Sequence, residues 1–125
     1  MAKRFSRAVA AAIDASSILG IRAGARSDHR FIGVWPVVVD GRVFVRSWTL
    51  KKDGWRHAFD EDPRGTIQAA GRELRVRAVA VKGERLRDKI EDGYAVKFDT
   101  KASQKYVRGF RTARRRDSTV EFVPR

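Results

Sequence analysis

The chain has 125 residues, 42% of them hydrophobic, which suits one domain with a real core and is too apolar for a disordered tail. It carries 28 Lys and Arg against 15 Asp and Glu, a formal charge of +13, which favours an anionic partner such as nucleic acid, a membrane surface or a phosphorylated small molecule. It has no Cys, which excludes disulfides, thiolate metal sites and a cysteine nucleophile.

Phe5, Val9 and Ile13 recur every four residues beside Ala8 and Ala12, so residues 6–15 are predicted as a short amphipathic helix ended by Ser16 and Ser17. Basic residues precede its apolar stretch, but Asp14 interrupts that stretch; it reads as a helix rather than a signal peptide, and the chain is expected in the cytoplasm. Residues 18–23 alternate and read as a first strand, and residues 24–30 (GARSDHR) as a polar loop. Two β-branched and aromatic runs, 31–39 and 43–48, flank Asp40–Gly41, the pair that accepts positive φ in a two-residue hairpin turn. The longest uninterrupted apolar run, residues 34–39, is far short of a bilayer span, and no membrane association is expected.

Residues 49–54 form a loop, and Trp55–Phe59 one or two helical turns closed by residues 60–63. A second hairpin is predicted from residues 66–70, a turn at Gly71 and residues 73–81. In its second arm Leu74, Val76, Ala78 and Ala80 share one face, with Arg75 and Arg77 on the other. Leu86, Ile90, Tyr94 and Phe98 step by four, predicting a helix over 84–98 despite Gly93. Residues 102–114 place Tyr106, Val107 and Phe110 at helical spacing, and residues 118–123 return to strand alternation. The expected architecture is mainly β with peripheral helices: a six-stranded antiparallel barrel in one domain spanning 1–125. Its parts are a helix at 6–15, the barrel at 18–81 with a strand at 118–123, and a helical segment at 84–114.

No Gly-x-Gly occurs, so the dinucleotide fingerprint and the P-loop are both missing. His29 and His57 lie in unrelated contexts and no HExxH is present, so no metal site is expected. The acidic cluster Asp60, Glu61 and Asp62 reads as a helix end and turn. No Gly-x-Ser-x-Gly elbow supports a hydrolytic triad. The last 25 residues hold eight of the cations and two of the acids, and between Lys101 and Arg116 there are seven cations and no acid. Lys101, Lys105, Arg108, Arg111 and Arg115 are placed on one helical face with Tyr106 and Phe110 interleaved. That is one form of nucleic-acid strip; the plainer reading is a solvated helix face whose cations suit the dipole.

The stretch from Phe31 to Val81 reads FIGVWPVVVDGRVFVRSW, then a Lys/Gly loop, then GWRHAFDEDPRGTIQAAGRELRVRAVAV. It resembles the FMN-binding split β-barrel proteins of the pyridoxamine-5′-phosphate oxidase-like superfamily. Within that superfamily it is similar to a small uncharacterised bacterial family and, secondarily, to the deazaflavin-dependent nitroreductases. The resemblance implies a homodimer that binds FMN or a deazaflavin at the subunit interface, with a small-molecule oxidoreductase activity.

In that setting Trp35, Pro36 and Val37 supply an apolar wall for the flavin ring, with Trp55 beside them. Arg46, Ser47, Lys52 and Arg56 are the expected phosphate and ribityl contacts, since a guanidinium grips two phosphate oxygens at once. Each has a second reading: Arg46 as the wet face of an alternating strand, Lys51 and Lys52 as ordinary loop charges, and Trp35, Trp48 and Trp55 as buried anchors. The two rival functions are a basic nucleic-acid-binding barrel and a split barrel that has lost its cofactor.

Overall fold

A computed structural model describes residues 4–125. Seven strands form one antiparallel sheet: β1 (Leu19–Ala23), β2 (Ile32–Val34), β3 (Pro36–Val39), β4 (Arg42–Val45), β5 (Arg64–Ala69), β6 (Arg72–Ala80) and β7 (Val120–Pro124). They are ordered β2-β1-β5-β6-β7-β4-β3. The first and last strands of that order are the two halves of one run of chain, so the sheet curls round into a barrel. Seven strands replace the expected six because the run 31–39 is divided at Trp35. Its first half pairs with β1 (Ile21 opposite Ile32) and its second with β4 (Val37 opposite Phe44).

Both tight hairpins follow from local chemistry. Asp40 and Gly41 have φ of 53° and 75°, the doubly left-handed turn whose twist matches the strands it joins. Ala70 and Gly71 repeat it at 55° and 70°, with Ala70 held in a region that disfavours a Cβ. β6 shows the expected alternation over residues 74–78, with Val76 buried, Leu74 and Ala78 half-buried, and Arg75 and Arg77 exposed, but Ala80, expected on the inward face, is exposed at the end of the strand.

Five helices surround the sheet: α1 (Arg7–Ala15), α2 (Trp55–Glu61), α3 (Glu84–Lys97), α4 (Gln104–Gly109) and α5 (Ala113–Asp117), with a 3₁₀ turn at Lys101–Ser103. The Ser6 hydroxyl caps α1 by accepting from the Val9 amide at 3.2 Å. The expected helical stretch 102–114 is therefore broken: it is the end of the turn, then α4, then a gap at 110–112 before α5. Among the described residues no helix is long and apolar enough to cross a membrane.

Two apolar clusters hold these parts. The barrel interior gathers Leu19, Ile21, Val43, Val45, Ile67, Val76, Val120 and Phe122, with Val9 and Ile13 from α1 and Trp55 and Phe59 from α2. The outer face of β3 and β4 carries Val37 and Phe44, which pack with Ile90 and Tyr94 from α3, with Phe98 just past its end, and with Val107 and Phe110 in and after α4. Both faces of this hairpin are thus buried, which is why its arms read as continuous apolar runs rather than alternating ones. α3 can approach because Gly93 faces β3: a Cβ there would lie 2.5 Å from Val37 Cγ1. Lys97 Nζ then ties three elements together, donating to the Ile13 carbonyl at 3.2 Å and the Pro36 carbonyl at 3.0 Å.

Candidate functional site

At the division the ladder stops one rung short of closing. The β3–β4 register pairs Pro36 with Val45, so the next rung would join Trp35 to Arg46. Counting from the hairpin, rungs alternate between bonded and non-bonded pairs; Pro36, which has no N–H, falls on a non-bonded rung, and Trp35–Arg46 would be bonded. In its place stands the Tyr94 hydroxyl, which accepts from the Arg46 amide at 3.0 Å and donates to the Trp35 carbonyl at 2.7 Å. Tyr94 is fully buried, and burial pushes its phenol well above the ordinary value, so it stays protonated and able to donate.

Beside this opening lies a cavity of about 460 Å³, within the range of about 300–1,000 Å³ typical of small-molecule sites. Its lining is mostly apolar: Ile32, Gly33 and Val34 from β2, then Trp35, Trp48, Trp55, Tyr106 and Phe110, with Arg46 and Thr49 as the polar members. The aromatic walls brace one another. Trp35 stacks on Phe98 with centroids 4.3 Å apart and planes 7° from parallel, and meets Tyr106 edge-on at 5.5 Å. Trp48 meets Tyr106 and Phe110 edge-on at 4.9 and 5.7 Å, and the Arg115 guanidinium lies 4.0 Å above its ring. Trp48 and Ile32 remain 41% and 48% exposed, so the cavity opens to solvent between them.

Of the eight residues expected to contact a cofactor, the structure brings Trp35, Arg46 and Trp55 to this cavity. Trp55 also belongs to the barrel core, the buried-anchor reading. Pro36 and Val37 are both buried, Val37 against α3, and neither lines the cavity, whose further aromatic walls are Trp48, Tyr106 and Phe110.

Arg46, expected to grip a phosphate, has its guanidinium engaged by groups of the chain itself. Its guanidinium donates to Thr119 Oγ1 (2.7 Å), the Glu91 carboxylate (3.1 Å), the Phe110 carbonyl (3.1 Å) and the Arg87 carbonyl (2.9 Å). Only 1% of the residue is exposed, and desolvation lowers its pKa against the opposing pull of Glu91. It is neither a wet-face residue nor a free fork but an internal tie between β4, α3 and the α4–α5 region.

Ser47 is also buried: its amide donates to Ser118 Oγ at 2.9 Å and its hydroxyl to the Thr49 carbonyl. Arg56 points elsewhere, donating to the Ser118 carbonyl at 2.9 Å and pairing with Asp60. Lys52 is exposed in the loop after Thr49 and makes no hydrogen bond or ion pair among the described residues.

The basic C-terminal stretch is not a single strip. Because the helix breaks, the five cations do not share one helical face. Arg115 covers Trp48, while Arg116 pairs with Glu84, Asp88 and Glu91, which hold its pKa above the ordinary value. The interleaved aromatics Tyr106 and Phe110 turn toward the cavity. Their i, i+4 spacing is the sequence signal for this wall. The acidic turn behaves as read: Asp62 pairs with Arg64, Asp60 with Arg56, and Glu61 lies 3.9 Å from His57.

The sequence matches a family described as "Uncharacterized protein conserved in bacteria", DUF2255, over residues 10–122. The chain belongs to the DUF2255 family. No curated protein matches it. Solved structures share the fold of this DUF2255 protein. A conserved hypothetical protein from Mycobacterium tuberculosis, Rv2991, superposes with a TM-score of 0.61 at 13% identity, covering 98% of this chain and 84% of its own. A structure titled F420-H2 dependent reductase superposes at 0.60 and 17% identity, covering 86% of this chain and 93% of its own. A FAD-binding protein from Mesorhizobium loti gives 0.56 at 13% identity, with 96% and 88% covered. The DUF2255 chain therefore has the split-barrel architecture, as the order of its motifs implied.

Proposed function

We propose that this DUF2255 protein binds a flavin-type cofactor, FMN or a deazaflavin, in the aromatic cavity beside Trp35, and that it is an oxidoreductase for a small molecule. The observation that carries the reading is the cavity itself: flat indole and phenyl walls around an opened strand pair, in a fold shared with an F420-H2 dependent reductase and a FAD-binding protein. The residues fit the ring of such a group, because Trp35, Trp48, Tyr106 and Phe110 offer apolar surface braced against collapse. When bound, the group supplies hydride or electron transfer at its ring.

This chain's residues bind, orient and exclude water. With the Arg46 guanidinium engaged internally and Arg115 laid over Trp48, the loop pair Lys51 and Lys52, which closely follows Thr49 of the cavity wall, offers exposed cations on the open side. Lys52 remains our choice for charge neutralisation at the phosphate, as a mobile point charge rather than a fork. We further propose that the protein is cytoplasmic and forms a homodimer that brings a second copy against the open mouth at Ile32 and Trp48.

Titration of the purified protein with FMN, FAD and a deazaflavin, followed by quenching of cofactor fluorescence, tests the reading. Saturable binding that Trp48→Ala weakens supports it. Failure of all three to bind, with co-purifying nucleic acid lost steeply as salt rises, would replace it with the nucleic-acid alternative. Failure of all three in a clean dimer would leave a barrel without cofactor.

A further inference from the structure

We propose that Tyr94 is a positioning residue of the cavity, its hydroxyl a wedge that keeps β3 and β4 from zipping past Pro36 and so holds Trp35 at the cavity wall. The inference rests on the proposed ligand role of this cavity, but its structural half stands on geometry alone.

The register and the proline define a rung at Trp35–Arg46 that the backbone is poised to close. A phenol oxygen occupies that rung and satisfies both groups, at 2.7 Å to the carbonyl and 3.0 Å from the amide. The rest of the Tyr94 ring does what any aromatic would do there, packing at 4.7 Å from Phe110 and 5.9 Å from Phe98. A phenylalanine would fill the same apolar space, so the hydroxyl is the part that this core does not require. Its effect falls on the two residues it separates. The Trp35 carbonyl is held from α3, which leaves the indole free to stack on Phe98 and face the cavity. Arg46 leaves the ladder, and its side chain runs instead to Glu91 and the Arg87 carbonyl. With the hydroxyl removed, an unpaired buried amide and carbonyl are costly, and the least costly repair is the direct rung that the register already prescribes.

The test is Tyr94→Phe in the full chain, read in three ways. Without ligand, the expected change is a scalar coupling across a new hydrogen bond between the Arg46 amide and the Trp35 carbonyl, absent from the wild type. With ligand, the dissociation constants of FMN and of lumiflavin, which has no phosphate, are both expected to rise at least about tenfold. The equal loss reflects an effect on the ring slot and not on the phosphate. The melting temperature should stay near that of the wild type.

A folded variant that shows no new coupling overturns the wedge, and one that binds both ligands with unchanged affinity overturns the positioning role. A variant that fails to fold overturns the proposal as well, because the hydroxyl would then hold the fold and not the cavity. Should the wild type bind neither ligand, the FMN form of the functional reading fails, the deazaflavin titration decides the rest of it, and the coupling measurement still decides whether Tyr94 is a wedge.

Discussion

The benzo edge of Trp48 abuts Gly109: a Cβ at that position would come within 2.4 Å of indole Cζ3 and 2.6 Å of Cη2. A glycine at the end of α4 is therefore what allows the second indole wall of the cavity to stand upright between Tyr106 and the Arg115 guanidinium. Gly109→Ala should tip the ring outward, since its exposed edge faces solvent. We expect flavin affinity to fall by up to about tenfold, the equivalent of one aromatic contact of about 1 kcal/mol, with a smaller change in stability. Indole fluorescence of the ligand-free variant should shift to the red as the ring gains water, and an unshifted spectrum would show that the ring has not moved.

Arg46→Ala separates a structural from a phosphate-binding role. The side chain is wholly buried and partners Glu91, Thr119 and two backbone carbonyls, so its loss strands several acceptors and a carboxylate. A destabilisation of about 3–5 kcal/mol is expected, as for other broken buried ion pairs, and denaturant unfolding measures it. A variant of native stability whose only defect is weak FMN binding would return Arg46 to the phosphate.

Gly93→Ala sets two effects of opposite sign against each other. Replacing a mid-helix glycine gains about 1 kcal/mol of helix propensity. The new methyl would sit 2.5 Å from Val37 Cγ1, with Val39 Cγ2 at 3.6 Å, inside a buried interface where overpacking costs about 1–3 kcal/mol. The net effect should be destabilising, and a rise in melting temperature would mean that α3 can shift away from β3 at little cost.

Acid should loosen the loop between β1 and β2. Asp62 accepts from the Arg64 side chain and amide and from the Ala25 amide, and these bonds lower its carboxyl to about 2 from an ordinary 3.8. A depressed carboxylate stabilises the folded state above its unfolded pKa, and that contribution fades as pH falls through the folded value. Protection of the Ala25 amide from hydrogen exchange should therefore decline between about pH 4 and pH 2, and Asp62→Asn should show the loosened loop at neutral pH. Equal protection at both ends of that window would dissociate the loop from Asp62.

What the sequence by itself determined is everything set by neighbours a few residues apart. Asp40–Gly41 specifies its turn because those two residues tolerate positive φ, Leu74 to Ala78 shows its buried face through strict alternation, and Leu86, Ile90 and Tyr94 mark the stripe of α3. The split of the 31–39 run, the engagement of Arg46 and the cavity wall at Tyr106 and Phe110 depend on partners tens of residues away. Tyr94 reaches Trp35 across 59 positions and Arg46 across 48, and Arg46 reaches Thr119 across 73. Only the folded barrel brings such groups within bonding distance. An arginine that reads as a free anion-binding fork becomes a buried tie because burial without partners would be too costly. An apolar run becomes two strands, each with a different partner, and a tyrosine on a later helix bridges the rung where they part.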